Sequence, residues 1–208
     1  MFRFLISLLL FGFIHTEPII INLITTNDIH GVIAPQKANF MNPQYPPTII
    51  GGAAFSKYMD ELRIEIQPTK EGVLVLDGGN FFQGNPLGLA DGGKTMIEWM
   101  NRIGYDAMVP GSYDFISGAA NLNELSKIAA FPFLYSNLNC NYCPLVDPNI
   151  KPYIIRKISG VKVGVLGVVN SQLSELVLAE NLSGTDAEKE VISIRKWVPE
   201  MKSNGAEL

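Results

Sequence analysis

Two residues with metal-binding side chains, Asp28 and His30, stand two positions apart in the segment LITTNDIHGV (23 to 32). They follow a run of apolar β-forming residues, so they fall where a strand is expected to end. A carboxylate and a neutral imidazole are ordinary ligands of a divalent cation such as Zn²⁺ or Mn²⁺. The same residue types also serve as a turn cap and a surface imidazole. The chemistry therefore depends on the partners that the rest of the chain supplies.

Few further metal ligands are present. The chain has 2 His and 2 Cys, and one of the histidines, His15, lies in an amino-terminal segment that we expect to be removed. The cysteines, Cys140 and Cys143, are too few for a structural zinc site. Their spacing favours a local disulfide in an oxidising compartment over a redox site.

The first 16 residues are predicted to be a signal peptide, which leaves 17 to 208 as the mature chain. Arg3 precedes an apolar run from Phe4 to Ile14. As a helix this run would span ~16 Å, about half of a bilayer core, so it suits export better than a membrane span. We expect a secreted or periplasmic protein, with an N-terminal membrane anchor as the alternative.

Composition narrows the class of partner. The chain has 208 residues, 47% of them hydrophobic, and a net charge of −4. This is typical of one globular domain, and it gives no basic patch that would indicate nucleic acid as the main partner.

The elements that must position Asp28 and His30 form an alternating pattern of strands and helices. Strands are predicted at 18 to 26, 72 to 77, 106 to 110, 131 to 136, 153 to 158 and 161 to 169. Helices are predicted at 55 to 66, 94 to 103, 119 to 130 and 187 to 203. This order predicts a largely parallel sheet covered by helices, with a hairpin that turns at Ser159-Gly160. Residues 206 to 208 would begin a further strand, either because the sheet ends there or because the chain is the front part of a longer protein.

Glycine-rich loops follow the second and third predicted strands, in LDGGNFFQGNPLG (76 to 88) and VPGSYDFISG (109 to 118). Taken with TNDIHG, IIGGAAFSKYMDELR, MNRIGYDAM, FPFLYSNL and SGVKVGVLGVV, they resemble the N-terminal half of the calcineurin-like metallophosphoesterase domain, in its 5'-nucleotidase branch. The resemblance runs from about Ile20 to Leu208. It implies an α/β sandwich of two β-sheets flanked by helices, incomplete at the C-terminus.

The resemblance also implies a two-metal site, and this chain matches it only in part. Asp28 and His30 match the first metal ligands. The bridging Asp of the family falls on Asn80, the Asn ligand falls on Ser112, and the catalytic His falls on Tyr113. Asn80 offers one neutral carbonyl and should not bridge two cations, while a phenol is uncharged at neutral pH. Asp77 and Asp114 are interpreted as turn caps rather than ligands.

The function implied by the resemblance is hydrolysis of a nucleotide or another phosphate ester with a divalent metal such as Mn or Zn. We expect only weak binding of one metal by Asp28 and His30, with Asn80 as a poor further ligand, and we assign no catalytic residue. The chain would then be a weakly active or inactive phosphoesterase that lacks the C-terminal remainder of its domain. The alternative is a pseudoenzyme that keeps the scaffold as a binding or structural module.

Overall fold

A computed structural model describes residues 18–69 and 71–208 of the chain. The predicted signal peptide, residues 1 to 16, lies outside the described residues. Strands are β1 (Ile21–Thr26), β2 (Gln36–Lys37), β3 (Thr48–Ile49), β4 (Gly72–Asp77), β5 (Ala107–Met108), β6 (Phe133–Leu134), β7 (Leu138–Cys140), β8 (Ile150–Lys151), β9 (Tyr153–Ile158), β10 (Val161–Leu166) and β11 (Thr185–Ala187). Helices are α1 (Gly52–Ile66), α2 (Pro86–Leu89), α3 (Lys94–Ile103), α4 (Ala119–Ile128), α5 (Leu173–Leu176), α6 (Ala179–Leu182) and α7 (Glu190–Ser203). Short 3-10 helices span Gln67–Thr69 and Ser112–Ser117.

The main sheet has five strands in the order β1-β4-β5-β6-β8, and each neighbouring pair is parallel. Strands β1 and β4 pair along their whole length, from Ile21 opposite Gly72 to Thr26 opposite Asp77. The carboxyl ends of these strands therefore meet at one edge, where open α/β sheets place their ligands.

Both faces of the main sheet are covered. Along β4, Val73 and Val75 pack into the core on the side of the helices, while Leu74 and Leu76 pack against the hairpin formed by β9 and β10. This alternation follows from the two-residue period of a strand. The largest fully buried side chains lie mainly on the helix side: Phe81, Phe82, Phe115, Phe131, Phe133, Met59, Met96, Ile97, Met100, Ile103, Met108 and Leu122.

The predicted fold class, a sandwich of two sheets flanked by helices, is confirmed. Strands β4 and β9 and helix α3 have the predicted bounds. The hairpin turns at Ser159 and Gly160, whose φ values are 49° and 91°. Helix α3 ends at Gly104, which has left-handed backbone as a C-cap glycine requires.

Several predicted bounds were wrong. The strands expected at 106 to 110 and 131 to 136 shrink to two residues each. Pro110 and Pro132 cannot donate the hydrogen bond that would continue a ladder at those points. The last helix begins at Glu190 instead of 187, because Thr185–Ala187 pair with β7.

Cys140 and Cys143 are joined by a disulfide, with their Cα atoms 5.2 Å apart. Cys140 ends β7, and it lies opposite Thr185 of β11. The bridge closes a small loop beside this two-stranded ladder. Oxidation of the pair in the exported protein stays a prediction.

The final residues lie along the edge of β10. The amides of Glu207 and Leu208 donate to the carbonyl of Lys162, at 2.8 and 3.3 Å, and the amide of Gly164 donates to the carbonyl of Leu208 at 2.7 Å. Leu208 is thus bonded to β10 as in a parallel pair, but residues 206 to 208 form no strand in the structure, so the strand expected to start at 206 stays a prediction. Over the described ranges, 18–69 and 71–208, the helices are too short or too polar to cross a bilayer.

Candidate metal and phosphate site

The loops that follow β1 and β4 are joined by their backbones. The amide of Asp28 donates to the carbonyl of Gly79, and the amide of His30 donates to the carbonyl of Asn80, both at 2.9 Å. These bonds prolong the parallel pairing of β1 and β4 beyond the ends of the strands. The structure therefore brings together Asp28, His30 and Asn80, the three residues predicted from the sequence as metal ligands.

All three of these residues have left-handed backbone. The φ angle is 54° at Asp28, 51° at His30 and 57° at Asn80. Asn, Asp and His adopt this region more readily than most residues, but it is uncommon and is held only where the surroundings fix it. Here the bonds between the two loops fix it, so the positions of the three side chains are set by the scaffold.

His30 is oriented by a backbone carbonyl. Its Nδ1 lies 2.6 Å from the carbonyl oxygen of Gln83. Because a carbonyl can only accept, Nδ1 carries the proton in the neutral ring and Nε2 keeps its lone pair. Nε2 lies 3.7 Å from Oδ1 of Asp28, and the ring meets the ring of Tyr113 edge to face, with centroids 5.4 Å apart. This is the tautomer that a metal-binding imidazole needs.

The side chain of Asn80 presents its amino group to Asp28. Nδ2 of Asn80 donates to Oδ1 of Asp28 at 2.7 Å, and Oδ1 of Asn80 accepts from the backbone amide of Tyr113 at 3.0 Å. Since the amide of Tyr113 can only donate, this orientation of Asn80 is the one that satisfies both bonds. The other oxygen of Asp28 accepts from Nδ2 of Asn27 at 2.7 Å. Both oxygens of this carboxylate are therefore engaged by amides.

The 3-10 helix Ser112–Ser117 is tied to the same loops by Asp114. This buried carboxylate accepts backbone hydrogen bonds from Asn80, Phe81 and Gly111, at 2.7, 3.0 and 2.9 Å. Burial raises the pKa of Asp114 to about 7, against the opposing effect of these bonds. Ser112 and Tyr113 thus stand beside the loop that carries Asn80, as their place in the sequence predicted.

Asp77 stabilises the turn after β4. It accepts from the hydroxyl of Thr26 at 2.5 Å and from the amide of Gly79 at 2.8 Å, and burial raises its pKa to about 6. The interpretation of Asp77 and Asp114 as turn caps is confirmed. Asp77 also lines a largely apolar cavity of about 320 Å³ between the main sheet and β10, whose lining does not include Asp28 or His30.

The residues present do not fit a pair of divalent cations. Asp28 and His30 offer one carboxylate and one imidazole, and the described residues contain no cluster of three or more His, Cys, Asp or Glu able to hold a metal. At the place where a bridging carboxylate would be needed, Asn80 presents an N–H donor instead of a second anionic oxygen. The donor set is compatible with a single cation at most.

Sequence reasoning missed the carbonyl of Gln83 and the side chain of Asn27. A backbone carbonyl carries no residue signature, so only the fold could reveal its contact with His30. Asn27 directly precedes Asp28 in the sequence. Asn side chains often hydrogen-bond within turns, and this was the one signal that could have indicated its contact with Asp28.

Comparison with known proteins supports the resemblance. No family model matches the chain. It is 28% identical over 185 residues to silent protein UshA(0) of Salmonella typhimurium, covering 88% of this chain and 32% of that protein. It is likewise 28% identical over 183 residues to a 5'-nucleotidase of Vibrio cholerae, covering 88% of this chain and 31% of that protein. The chain thus spans about a third of the length of these relatives.

Solved structures agree. A calcineurin-like phosphoesterase from Bacillus subtilis, YfkN, superposes with a TM-score of 0.68 at 26% identity, covering 89% of this chain and 59% of that one. The predicted resemblance is confirmed: the relatives of this chain are 5'-nucleotidases and calcineurin-like phosphoesterases, and it matches the N-terminal region of the 5'-nucleotidases.

Proposed function

We propose that this chain is an exported phosphoesterase scaffold of the 5'-nucleotidase type that binds at most one divalent cation weakly and hydrolyses phosphate esters slowly or not at all. The observation that carries the proposal is the contact between Asn80 and Asp28. An amide donor occupies the position in which a two-metal enzyme needs an anionic oxygen.

The charge balance explains why this substitution matters. Two dications held ~4 Å apart repel by about 15 kcal/mol at an effective dielectric of 20, an illustrative scale. A bridging carboxylate offsets part of this repulsion, whereas a neutral amide does not. In two-metal hydrolysis both ions stabilise the attacking and leaving oxygens, so the loss of one ion removes much of the catalytic effect.

Tyr113 and Ser112 do not replace the missing groups. Tyr113 stacks edge to face on His30 and is about half exposed, at 52%. A phenol has no positively charged form, so Tyr113 cannot neutralise charge on a leaving group as an imidazolium would. In its place it orders the ring of His30. The side chains of the site thus contact one another. If the chain has no activity, these contacts favour the alternative of a pseudoenzyme that serves as a binding or structural module.

The ligand class follows from the relatives. A protein similar to 5'-nucleotidases is expected to take a nucleotide or another phosphate ester, with Mn²⁺ or Zn²⁺ as the cation. Because residues 1 to 16 are predicted to be a signal peptide, we expect the mature chain to begin at residue 17 and to act outside the cytoplasm.

A phosphatase assay tests the proposal. Purified wild type, Asn80→Asp and Asp28→Ala would be incubated with AMP or a chromogenic phosphodiester and excess Mn²⁺, Zn²⁺ or Co²⁺. We expect none of them to turn over substrate at a rate near that of a working two-metal phosphoesterase, and Asn80→Asp should not rescue the wild type, because it leaves Ser112 and Tyr113 in place. Metal-dependent turnover near that rate in the wild type, abolished by Asp28→Ala, would overturn the proposal.

A further inference from the structure

Strand β1 forms one edge of the main sheet, and β8 forms the other. Over the described ranges, 18–69 and 71–208, β1 pairs only with β4. The carbonyls of Ile20 and Thr26 accept hydrogen bonds from β4. Because the backbone groups of successive residues face opposite sides of a strand, those of Ile21, Leu23 and Thr25 point away from β4. Strand β1 therefore presents a row of backbone donors and acceptors to its surroundings.

The β1 edge lacks the features that usually keep sheet edges from pairing with other chains. Natural edge strands are often very short, or carry a Lys, a bulge or a Pro within the strand. Strand β8 fits this description, because it has two residues and one of them is Lys151. Strand β1 has six residues in an uninterrupted register with β4, and residues 18 to 26 contain no charged side chain. Of the two edges of this sheet, β1 is thus the one suited to accept a further strand.

The side chains along the β1 edge are apolar and exposed. Ile19, Ile20 and Leu23 have 59, 46 and 58% of their surface exposed. Ile21 packs against the hydrophobic cluster beneath the hairpin of β9 and β10. Leu23 is two residues further along and lies on the same face of β1, but the hairpin leaves it uncovered. A strand beside β1 would therefore gain apolar contact with Leu23 as well as backbone hydrogen bonds.

A second copy of β1 fits this edge. In an antiparallel pairing centred on Leu23, a two-fold axis places Leu23 opposite Leu23 of the second copy and Ile21 opposite Thr25. These are the residues whose backbone groups point away from β4, so each opposed pair can exchange two N–H···O bonds. The register also brings the two Leu23 side chains together on the uncovered face. The edge is thus complementary to itself, as a symmetric contact requires.

We propose that two copies of this chain associate through β1, in the antiparallel register centred on Leu23, and join their main sheets into one continuous sheet. A single pair of strands is a small contact, so the dimer dissociates on dilution. Asp28 and His30 follow β1 in the chain, so the antiparallel arrangement places the two candidate metal sites at opposite ends of the paired strands. The association does not depend on metal or on the proposed phosphoesterase function.

Sedimentation velocity of the purified protein over a range of concentrations tests the association. We expect the wild type to change from monomer to dimer as its concentration rises. Leu23→Lys should stay monomeric throughout, because the register would place two like charges directly opposite each other. Leu176→Lys is the matched control, since Leu176 is also exposed, at 57%, but lies in α5; it should associate as the wild type does. Circular dichroism would show that both variants are folded.

Cysteine cross-linking tests the register. Opposed residues of a hydrogen-bonded antiparallel pair have Cα atoms about 5.5 Å apart, within the range of a disulfide. Leu23→Cys should therefore form an inter-chain disulfide under mild oxidation, seen on a non-reducing gel. Thr25→Cys alone should not, because its two copies lie four residues apart along the pair, or ~13 Å. A mixture of Ile21→Cys and Thr25→Cys should cross-link.

Each contrary outcome overturns the proposal. A wild type that stays monomeric at every concentration would do so, whether the edge is free or is covered by a different strand. Association that persists in Leu23→Lys would place the contact elsewhere on the surface. Cross-linking of Thr25→Cys as readily as Leu23→Cys would contradict the register. If Leu23→Lys does not fold, the cysteine variants alone decide the matter.

Discussion

Replacing Asn80 with Asp should make the stability of this protein depend on divalent metal. In the wild type, Nδ2 of Asn80 donates to Oδ1 of Asp28 at 2.7 Å. The substitution places a carboxylate oxygen where that donor was and leaves the amide of Tyr113 with an acceptor. Two carboxylates then lie in contact beside the imidazole of His30. Together these three side chains form a site that can bind a cation.

Without metal, Asn80→Asp should destabilise the protein in two ways: it removes a hydrogen bond and it adds a repulsion between two charges. A hydrogen bond to a charged acceptor contributes about 1.5–3 kcal/mol, and the side chain of Asp28 is 51% exposed, so the lower end applies. Two charges ~3 Å apart in water-like surroundings repel by about 1.4 kcal/mol. The free energy of unfolding should fall by roughly 3 kcal/mol. At roughly 2–4 °C per kcal/mol for a domain of this size, this lowers the Tm by about 6–12 °C.

Thermal unfolding in EDTA and in excess Mn²⁺ measures both parts of this prediction. A cation at 100 times its Kd would return about 2.7 kcal/mol, so Mn²⁺ should restore most of the Tm of Asn80→Asp. The wild type should respond little. Asn80→Ala is the control, because it loses the hydrogen bond without adding a charge, and it should be destabilised with no response to metal. The reasoning would be refuted if Asn80→Asp matched the wild type in EDTA, or if Mn²⁺ stabilised the wild type as much as the variant.

Other predictions concern a buried acid, a close contact and the disulfide. Burial raises the pKa of Asp77 from 3.8 to about 6, so the folded state holds its proton more tightly than the unfolded state does. The stability gained from this proton is therefore fully present below about pH 4 and is lost as the pH rises through 6. At 1.36 kcal/mol per pH unit, this loss of unfolding free energy amounts to at most roughly 3 kcal/mol. Urea unfolding at several pH values should show the loss in the wild type and its absence in Asp77→Asn. Gly79→Ala should lower the free energy of unfolding, measured in urea, by more than about 2 kcal/mol, because its Cβ would lie 2.2 Å from a backbone nitrogen of the neighbouring loop. Gly160→Ala is the control and should cost less, because Gly160 has a similar φ but open space around it. Equal losses would contradict this prediction. Thiol labelling of exported protein without reductant should leave Cys140 and Cys143 unmodified, and tagging of both would disprove their oxidation.

The sequence predicted the elements whose signals are local. Helix α3 has an apolar stripe and a Gly at its C-cap, and β4 is an apolar run bounded by Gly72 and Asp77, so their bounds were correct. The two-residue strands and the pairing of β7 with β11 were not predictable in this way. They depend on contacts between segments that are distant in the sequence, such as that between Cys140 and Thr185, 45 residues apart, which periodicity does not encode.

The same division holds at the site. The sequence placed Asp28, His30 and Asn80 on adjacent loops, because parallel strands end at one edge of a sheet. It could not show that the amide of Asn80 faces Asp28. That orientation depends on the backbone amide of Tyr113, 33 residues away, which selects the oxygen of Asn80 as its partner.

The backbone bonds between the loops after β1 and β4 have a practical consequence. Because the amides of Asp28 and His30 are fixed by carbonyl groups of the opposite loop, the frame of the site does not depend on the side chains it displays. Residues that tolerate left-handed backbone, chiefly Asn, Asp, His and Gly, could be exchanged at these positions while the frame persists. The two loops therefore provide a backbone frame into which ligand sets for other cations or anions could be grafted.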